Sequence, residues 1–423
     1  MNVFIQTYGC SNNQAESEIM GGLLARAGFK VVNELKNANL VIINSCVVKY
    51  PTVNKVIAKI KEVVELKKYL IIAGCLPEIN LPIIKEIAPN ASIVSTHNLK
   101  EIVRVTRNLL DGKKLELIGK TKESKLCLPR ERKNKIIGII PISSGCQGNC
   151  AYCATRIAKG NLFSFPIRLI LKEIDNSCAT GCKEIWITSQ DNASYGLDYK
   201  KRDLPELLKR VLKLNHRVKI RIGMMNPTNV KLILKELIKI YEKKEIFKFL
   251  HIPIQAGSDK VLKLMRRPGN TKEFLEVIQE FRKQIPEITI STDIIVGFPG
   301  ETNKDFQETI NLMKKIKPDV LNISKYWAMP DTDAAKMKQV PLEISKKRAI
   351  ELMKLHAKIA LENNQKIIGK TYNILIDEKG FKNTWLGRNN NYKLIVVRSK
   401  NNLFGKEIKV RITEAKSHYL IGT

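Results

Sequence analysis

The sequence predicts an α/β protein in three parts: an N-terminal parallel-sheet domain, a central partial (β/α) barrel and a small C-terminal all-β barrel. Three observations predict it. Short β-branched, apolar runs alternate with helix-periodic stretches over most of the chain, as parallel strands joined by crossover helices do. Beyond residue 366 the pattern changes to two-residue alternation broken by glycines, which reads as short strands closing into a small barrel. At 423 residues the chain is also too long for one ordinary domain. The expected divisions are 1–112, a basic linker at 113–131, 132–363 and 364–423.

In the first part, Val3-Phe4-Ile5 leads to Thr7-Tyr8-Gly9-Cys10. Leu40-Val41-Ile42-Ile43 leads to Asn44-Ser45-Cys46, and Leu70-Ile71-Ile72-Ala73 leads to Gly74-Cys75. Each run reads as a strand buried on both faces. Helix patterns fill the gaps: Ile19, Leu23 and Leu24 before Gly28, then Val53, Ile57 and Ile60. In a parallel sheet the strand C-termini share one edge, and ligands bind there. Cys10, Cys46 and Cys75 are therefore expected to converge on a three-thiolate site. Small buried core cysteines are the plainer alternative, but it gives no reason for all three to stand at the same structural position. Residues 113–135 are rich in lysine and arginine, and Cys127 within them reads as an incidental thiol.

A strand expected at 136–142 feeds Gly145-Cys146-Gln147-Gly148-Asn149-Cys150-Ala151-Tyr152-Cys153. Thiolates spaced C-x3-C-x2-C on a turning segment can converge on one soft metal centre. Three ligands leave one iron of a four-iron cubane open, and chemistry can happen there. A structural zinc site would want a fourth ligand nearby, and no histidine lies close in sequence. Further strands are expected at 184–188, 218–222, 249–252, 288–296 and 320–324, with helices between them. Asp203-Leu204-Pro205-Glu206 supplies a cap, an early proline and a box glutamate for one helix, and Thr302 caps another. Six such units give a parallel barrel or part of one, with its site at the strand C-terminal ends. The candidates there are Ser189-Gln190-Asp191, Asn226, Gln255-Ala256-Gly257-Ser258 and Gly297-Phe298-Pro299-Gly300-Glu301. The last reads equally well as a plain strand-to-helix turn. Cys178 and Cys182 lack further partners and read as free thiols.

In the C-terminal part Tyr372, Ile374 and Ile376 alternate with other residues, as do Leu394 and Val396, then Ile408, Val410 and Ile412. Tyr372, Phe381, Trp385 and Tyr392 among basic residues would suit stacking on unpaired bases; an ordinary solvated face fits the segment too. Over the whole chain 73 basic residues face 41 acidic ones, a net charge of +32. A bias toward charged residues would raise glutamate as well, so the excess points to a polyanionic partner, RNA or DNA. The N-terminus begins a strand rather than a secretory signal, and no run reaches the ~18–20 apolar residues of a membrane span. Clustered cysteines in a large chain without a signal indicate a reducing cytoplasm and metal chemistry rather than disulfides.

Taken in order, the three parts resemble the methylthiotransferase family of radical S-adenosylmethionine (SAM) enzymes. Thr7-Tyr8-Gly9-Cys10-Ser11-Asn12-Asn13 with Ser17 and Glu18, Asn44-Ser45-Cys46 and Ala73-Gly74-Cys75-Leu76-Pro77 match its N-terminal motifs. The C-x3-C-x2-C loop resembles the radical SAM signature. His251-Ile252-Pro253-Ile254-Gln255-Ala256-Gly257-Ser258 and the stretch from Thr292-Asp293 to Glu301-Thr302 resemble barrel motifs. The C-terminal part is similar to a TRAM domain, which binds RNA. Glu184 to Asp191, Ala193-Ser194-Tyr195-Gly196 and Arg221 to Pro227 look most like the archaeal and eukaryotic branch acting on N6-threonylcarbamoyladenosine in tRNA. Glu16 stands where the family usually has Asp, and Lys159 where Arg is usual. Pro330-Asp331-Thr332-Asp333-Ala334 replaces a common Pro-Gly-Thr-Pro-Ala, which puts that loop's shape in question. The chain ends at His418 to Thr423 without the hydrophobic anchor of eukaryotic members, so a soluble protein is expected.

The resemblance implies two [4Fe-4S] clusters and SAM as cofactors. Cys146, Cys150 and Cys153 would hold the cluster that cleaves SAM to a 5′-deoxyadenosyl radical, and Cys10, Cys46 and Cys75 the cluster that supplies sulfur. Tyr152, Ser189, Gln190, Asp191, Gln255, Ser258 and Asp293 are the residues expected around SAM. The expected partner is tRNA, with no membrane; electron donor and sulfur source stay unidentified. The sibling branches, acting on isopentenyladenosine in tRNA or on a ribosomal protein, are alternatives. So is an iron–sulfur RNA-binding protein whose clusters only staple the fold.

Overall fold

A computed structural model describes residues 1–423. Its N-terminal unit is an all-parallel sheet of β1 (Asn2–Thr7), β2 (Lys30–Val32), β3 (Leu40–Ser45), β4 (Tyr69–Gly74), β5 (Ser92–Ser95) and β6 (Glu116–Leu117), ordered β2-β1-β3-β4-β5-β6. Four helices flank it: α1 (Ser11–Arg26), α2 (Tyr50–Glu65), α3 (Leu81–Ile87) and α4 (Ile102–Leu110). Side chains alternate between two cores. Val41, Ile43 and Ile72 pack with Val53, Val56 and Ile60 of α2; Leu40, Ile42 and Ile71 pack with Met20, Leu24, Ile102 and Val105. Covering both faces is what unbroken apolar strands require.

The basic stretch 113–131 does more than link. It supplies β6, buries Lys125 and Leu126, and lays Pro129 and Arg130 on α1. A Cβ on Gly22 would collide with the backbone of both residues there. Arg130 is buried between Glu173 (2.6 Å) and Glu18 (3.7 Å). Lysine and arginine normally lie outside; here buried carboxylates take them in, and composition does not show that.

The central unit begins with β7 (Ile137–Pro141). The short antiparallel pair β8 (Ser143–Ser144) and β9 (Phe163–Ser164) brackets the cysteine loop and α5 (Ala154–Lys159). Then follow β10 (Glu184–Thr188), β11 (Lys219–Ile222), β12 (Phe249–His251), β13 (Thr289–Val296) and β14 (Val320–Lys325). Two parallel ladders, β7-β10-β11 and β12-β13-β14, meet where Ile220 bridges Ile246 and where Met225 N–H donates to the His251 carbonyl at 2.9 Å. The result is the six-stranded partial barrel the sequence predicts. On its outside lie α6 (Ile167–Ala179), α7 (Leu204–Lys213), α8 (Pro227–Lys231), α9 (Leu234–Tyr241), α10 (Asp259–Leu264), α11 (Thr271–Gln284) and α12 (Asn303–Ile316). Thr302 and Asp305 form the expected capping box of α12. Asp203 precedes α7 but its side chain makes no capping bond; Pro205 sets the first turn instead.

After α13 (Leu342–Gln365) the chain closes a five-stranded barrel, β15 (Thr371–Lys379), β16 (Thr384–Arg388), β17 (Leu394–Arg398), β18 (Glu407–Ala415) and β19 (Leu420–Gly422), ordered β15-β16-β17-β19-β18. In β17 the inward residues are Ile395 and Val397 rather than Leu394 and Val396. Of the aromatics expected to face bases, Trp385 is buried in this barrel's core, while Phe381 is 78% exposed. Tyr392 is spent on the interface with the central unit, packed on Phe247 and Phe249 beneath the Arg221 and Arg388 guanidinium groups. No helix of the chain is long and apolar enough to cross a membrane.

Candidate active site

Because β1, β3 and β4 are neighbours, Cys10, Cys46 and Cys75 follow three adjacent strand ends. Gly9 makes the approach possible: its φ is +120°, and a Cβ there would sit 2.7 Å from Cys46 Cβ and 3.0 Å from Cys46 Sγ. Asn13 knits the edge together. Its Oδ1 accepts from Cys10 Sγ at 3.2 Å, its Nδ2 donates to the Ser45 carbonyl at 3.0 Å, and Asn44 Nδ2 donates to its carbonyl at 2.8 Å. Val48 N–H donates to Cys46 Sγ at 3.5 Å. Burial pushes the Cys75 thiol up to about 12; Lys159 opposes this, while charge on Glu16, Cys46 and Cys10 adds to it.

Behind the three thiols lies a buried ionic cluster. Glu16 Oε1 accepts from Lys159 Nζ (2.7 Å), Lys125 Nζ (2.8 Å), Thr96 Oγ1 (2.7 Å) and Asn12 Nδ2 (3.1 Å). Lys125 also donates to the Thr96 carbonyl. Burial favours a neutral carboxyl, but the two ammonium groups prevail and hold Glu16 down at about 2. Two cations share one anion here, and against burial the negative charge around it, that of Glu16 included, holds Lys159 protonated.

The second triplet sits in the loop between β8 and α5. Cys146 N–H donates to the Gly160 carbonyl at 3.2 Å, closing the loop at its base. Ala151 is gripped from both sides: its N–H donates to the Met265 carbonyl and its carbonyl accepts from Ala334 N–H, both at 2.9 Å. The unusual 330–334 segment therefore still supports this loop. Gly148 N–H donates to Cys146 Sγ at 3.3 Å, and Arg267 donates through Nη1 to Cys150 Sγ at 3.9 Å and through Nη2 to the Pro253 carbonyl at 2.7 Å. Tyr152 packs edge-on against Phe298 with centroids 6.2 Å apart. Burial pushes the Cys146 thiol up to about 11.

These residues fit an iron–sulfur cluster. A Cβ on Gly148 would lie 3.5 Å from Cys146 Sγ and 4.0 Å from Cys150 Sγ, so any side chain there would fill the space between the thiols. N–H donors already point at two sulfurs, as cluster ligands require. No three His, Cys, Asp or Glu side chains close on a single ion; thiols that each bind a different iron stand wider apart than ligands of one ion.

The other expected residues are placed unevenly. Ser189 Oγ and Gln190 Oε1 are buried without a hydrogen-bond partner, as are a number of other polar atoms of the chain. Asp191 is buried; its Oδ1 accepts from the N–H groups of Ala193 (3.1 Å) and Asn226 (2.9 Å), and its Oδ2 from Asn229 Nδ2 (2.7 Å). Burial raises its pKa, and its charge reaches Arg267 and Cys146. Gln255 holds a φ of +83°, with its backbone bonded to Asp293 and Ile295 on β13. Asp293 Oδ1 accepts from His251 Nε2 at 3.0 Å and from Asn322 Nδ2 at 2.7 Å. Ser258 is turned toward α12, donating to Asp305 Oδ1 at 2.8 Å. Sequence reasoning missed Arg267, which follows the Met265 that anchors the cysteine loop; its only signal is its place beside the turn residues Pro268 and Gly269.

Sequence comparison matches three family models along the chain. The Radical SAM superfamily matches residues 140–313, the TRAM domain residues 365–423, and a family described as "Uncharacterized protein family UPF0004" residues 2–96. A protein of Methanothermobacter thermautotrophicus named "Probable threonylcarbamoyladenosine tRNA methylthiotransferase" is 37% identical, covering 100% of this chain and 99% of that one. A human protein named "Threonylcarbamoyladenosine tRNA methylthiotransferase" is 34% identical over 99% of this chain and 73% of its own. The chain belongs to the threonylcarbamoyladenosine tRNA methylthiotransferase branch of the radical SAM enzymes. Among solved structures, the radical SAM methyltransferase TsrM of Kitasatospora setae superposes with a TM-score of 0.58, at 12% identity over 79% of this chain and 73% of that one. The radical SAM enzyme OxsB superposes with a TM-score of 0.55, at 10% identity over 92% and 63%. At such identities they share the fold alone. Membership implies a [4Fe-4S] cluster and SAM in the central unit.

Proposed function

We propose that this chain methylthiolates the adenine ring of N6-threonylcarbamoyladenosine in tRNA, giving 2-methylthio-N6-threonylcarbamoyladenosine. The observation that carries the reading is the seam between the two cysteine triplets. Ser11, beside Cys10, shares a 3.0 Å hydrogen bond with Thr188 at the end of β10, and Glu16 reaches Lys159, six residues past Cys153, at 2.7 Å. These contacts hold the segment carrying Cys10 against the end of β10 and against α5, which follows the Cys146–Cys153 loop. A radical-forming site and a sulfur-carrying site need that arrangement, because the base must reach both within one binding event.

Cys146, Cys150 and Cys153 hold one cluster and Cys10, Cys46 and Cys75 a second. When bound, they supply the electron that cleaves SAM and the sulfur that is transferred. Gly148 leaves room for the first and Gly9 for the second. Arg267 orients Cys150 and offsets the negative charge of a thiolate set. Tyr152, Ser189, Gln190, Asp191 and Gln255 line the approach to SAM, the unpaired Ser189 and Gln190 oxygens serving its polar groups; Asp293 positions His251 and Asn322, and Ser258 positions α12. Lys159 works against the burial that raises the Cys75 thiol. The protein's net charge of +32 and the TRAM barrel hold the tRNA in the cytoplasm, where 113–131 tethers unit 1–112 to units 132–363 and 364–423.

The test replaces one cysteine of each triplet in anaerobically reconstituted protein. Cys146→Ala abolishes 5′-deoxyadenosine formation. Cys10→Ala retains SAM cleavage but yields no methylthiolated nucleoside by mass spectrometry of the tRNA. Unchanged SAM cleavage by Cys146→Ala, or full thiolation by Cys10→Ala, overturns the assignment.

A further inference from the structure

Four residues outside both triplets gather at the seam between the N-terminal unit and the barrel. Tyr50 opens α2 four residues after Cys46, and Trp327 lies two residues beyond the C-terminal end of β14. Their rings stack, with centroids 4.9 Å apart and planes at 23°. Lys325, the last residue of β14, places its Nζ 5.3 Å from the Trp327 ring centroid. Lys49 precedes Tyr50, and its charge acts on Asp293 at the strand-end edge: against burial, His251, Asn322 and Lys49 hold that carboxyl below the usual range.

Two features mark this group. Lys49 and Lys325 are in no salt bridge and no side-chain hydrogen bond, as is true of many other cations of the chain, but Lys325 lies against the ring of an aromatic stack and Lys49 adjoins that stack in sequence. The apolar surface around them is also left open: Val48 is 58% and Tyr50 41% exposed. Unpaired ammonium groups beside an open aromatic pair, four residues past Cys46 and just beyond the end of β14, suit a ligand that is flat and carries an anion. Aromatic rings stack on bases regardless of sequence, and a lysine acts as a compact point charge for an oxyanion. An isopentenyl substituent would give the two lysines nothing to bind.

Resting on the substrate reading above, we propose that Lys325, against the Trp327 ring, and Lys49, next to Tyr50 in the chain, form the subsite that receives the free carboxylate of the threonylcarbamoyl group. The stack supports the planar carbamoyl-adenine portion, and the lysines select for the charge at its far end. A tRNA backbone phosphate is the other oxyanion within reach, and the test separates the two.

Equilibrium binding is measured between the full chain and an anticodon stem-loop RNA carrying N6-threonylcarbamoyladenosine, and the same RNA carrying plain adenosine. The wild type binds the modified RNA more tightly. The Lys49→Gln/Lys325→Gln pair loses that preference by about tenfold, as expected when a charge-assisted contact is removed, while its affinity for the unmodified RNA changes by less than about twofold. Lys49→Arg/Lys325→Arg keeps the charge and regains the preference. Thermal melting confirms that the variants are folded. Equal weakening toward both RNAs assigns the lysines to phosphate and overturns the proposal, as does a preference unchanged in the double variant. A wild-type enzyme that thiolates the modified tRNA but shows no binding preference overturns this subsite alone. One that forms no methylthio product on that tRNA overturns the substrate reading itself.

Discussion

Lys159 of α5 donates to Glu16 of α1 at 2.7 Å, both side chains almost fully buried. Each is a departure from the residue usual in the family, Lys for Arg and Glu for Asp, and the two departures touch. The glutamate is one methylene longer than aspartate, and the lysine gives up the wide guanidinium fork for a single ammonium. One change offsets the other in reach.

That contact predicts a coupled pair. Glu16→Asp and Lys159→Arg each destabilise the chain, and the double variant recovers most of the loss. A double-mutant cycle by denaturant unfolding gives a coupling of about 1–3 kcal/mol. Simple additivity contradicts the compensation.

Acid acts through the same carboxyl. Against burial, Lys125 and Lys159 hold Glu16 at about 2, below its ordinary 4.5. A depressed folded-state value means stability that is complete above pH 4.5 and lost as pH falls toward 2. Glu18 has the opposite sign: burial outweighs Arg130 and Arg132 and raises it to about 7, so its contribution weakens as pH rises from 4.5 to 7. Glu16→Gln flattens the acid limb of a stability–pH curve, and Glu18→Gln flattens the limb between pH 4.5 and 7.

Gly22 tests the packing of 113–131. A methyl there meets the backbone of Pro129 and Arg130, which cannot swing aside like a side-chain tip. Gly22→Ala costs about 1–3 kcal/mol, the usual range for overpacking, and opens 113–131 to proteolysis before the rest of the chain. Cleavage at the wild-type rate contradicts the tethering role.

Arg267 is a positioning residue for Cys150. Arg267→Met leaves the three cysteines in place, so iron content is retained, while 5′-deoxyadenosine formation falls about tenfold, the lower end of what outer-sphere partners of metal sites contribute. The electron paramagnetic resonance signal of the reduced cluster shifts as well, since a lost donor to sulfur changes the cluster's electronics. An unaltered spectrum contradicts the contact.

Much of the site was legible because it lies where chain order and strand period coincide. C-x3-C-x2-C is local, and a parallel sheet puts consecutive strand ends on one edge, so Cys10, Cys46 and Cys75 could be brought together from three apolar runs. Ser189 and Gln190 follow from the same rule. Arg267 and Lys125 did not show, because a buried cation looks in sequence like any surface cation; only its partner distinguishes it. The same holds for Trp385 and Tyr392, which composition offers as base-stacking residues but which lie in a barrel core and a domain interface.

The sequence by itself determined the three-part α/β architecture, both cysteine triplets and the family, since each rests on short spacings or on the period of apolar residues. Tertiary structure alone decided how the units meet: Ser11 on Thr188, Glu16 on Lys159, Tyr50 on Trp327. Those contacts join segments far apart in the chain. They depend on which face of one unit buries against another, a balance of desolvation and ion pairing that no local pattern records.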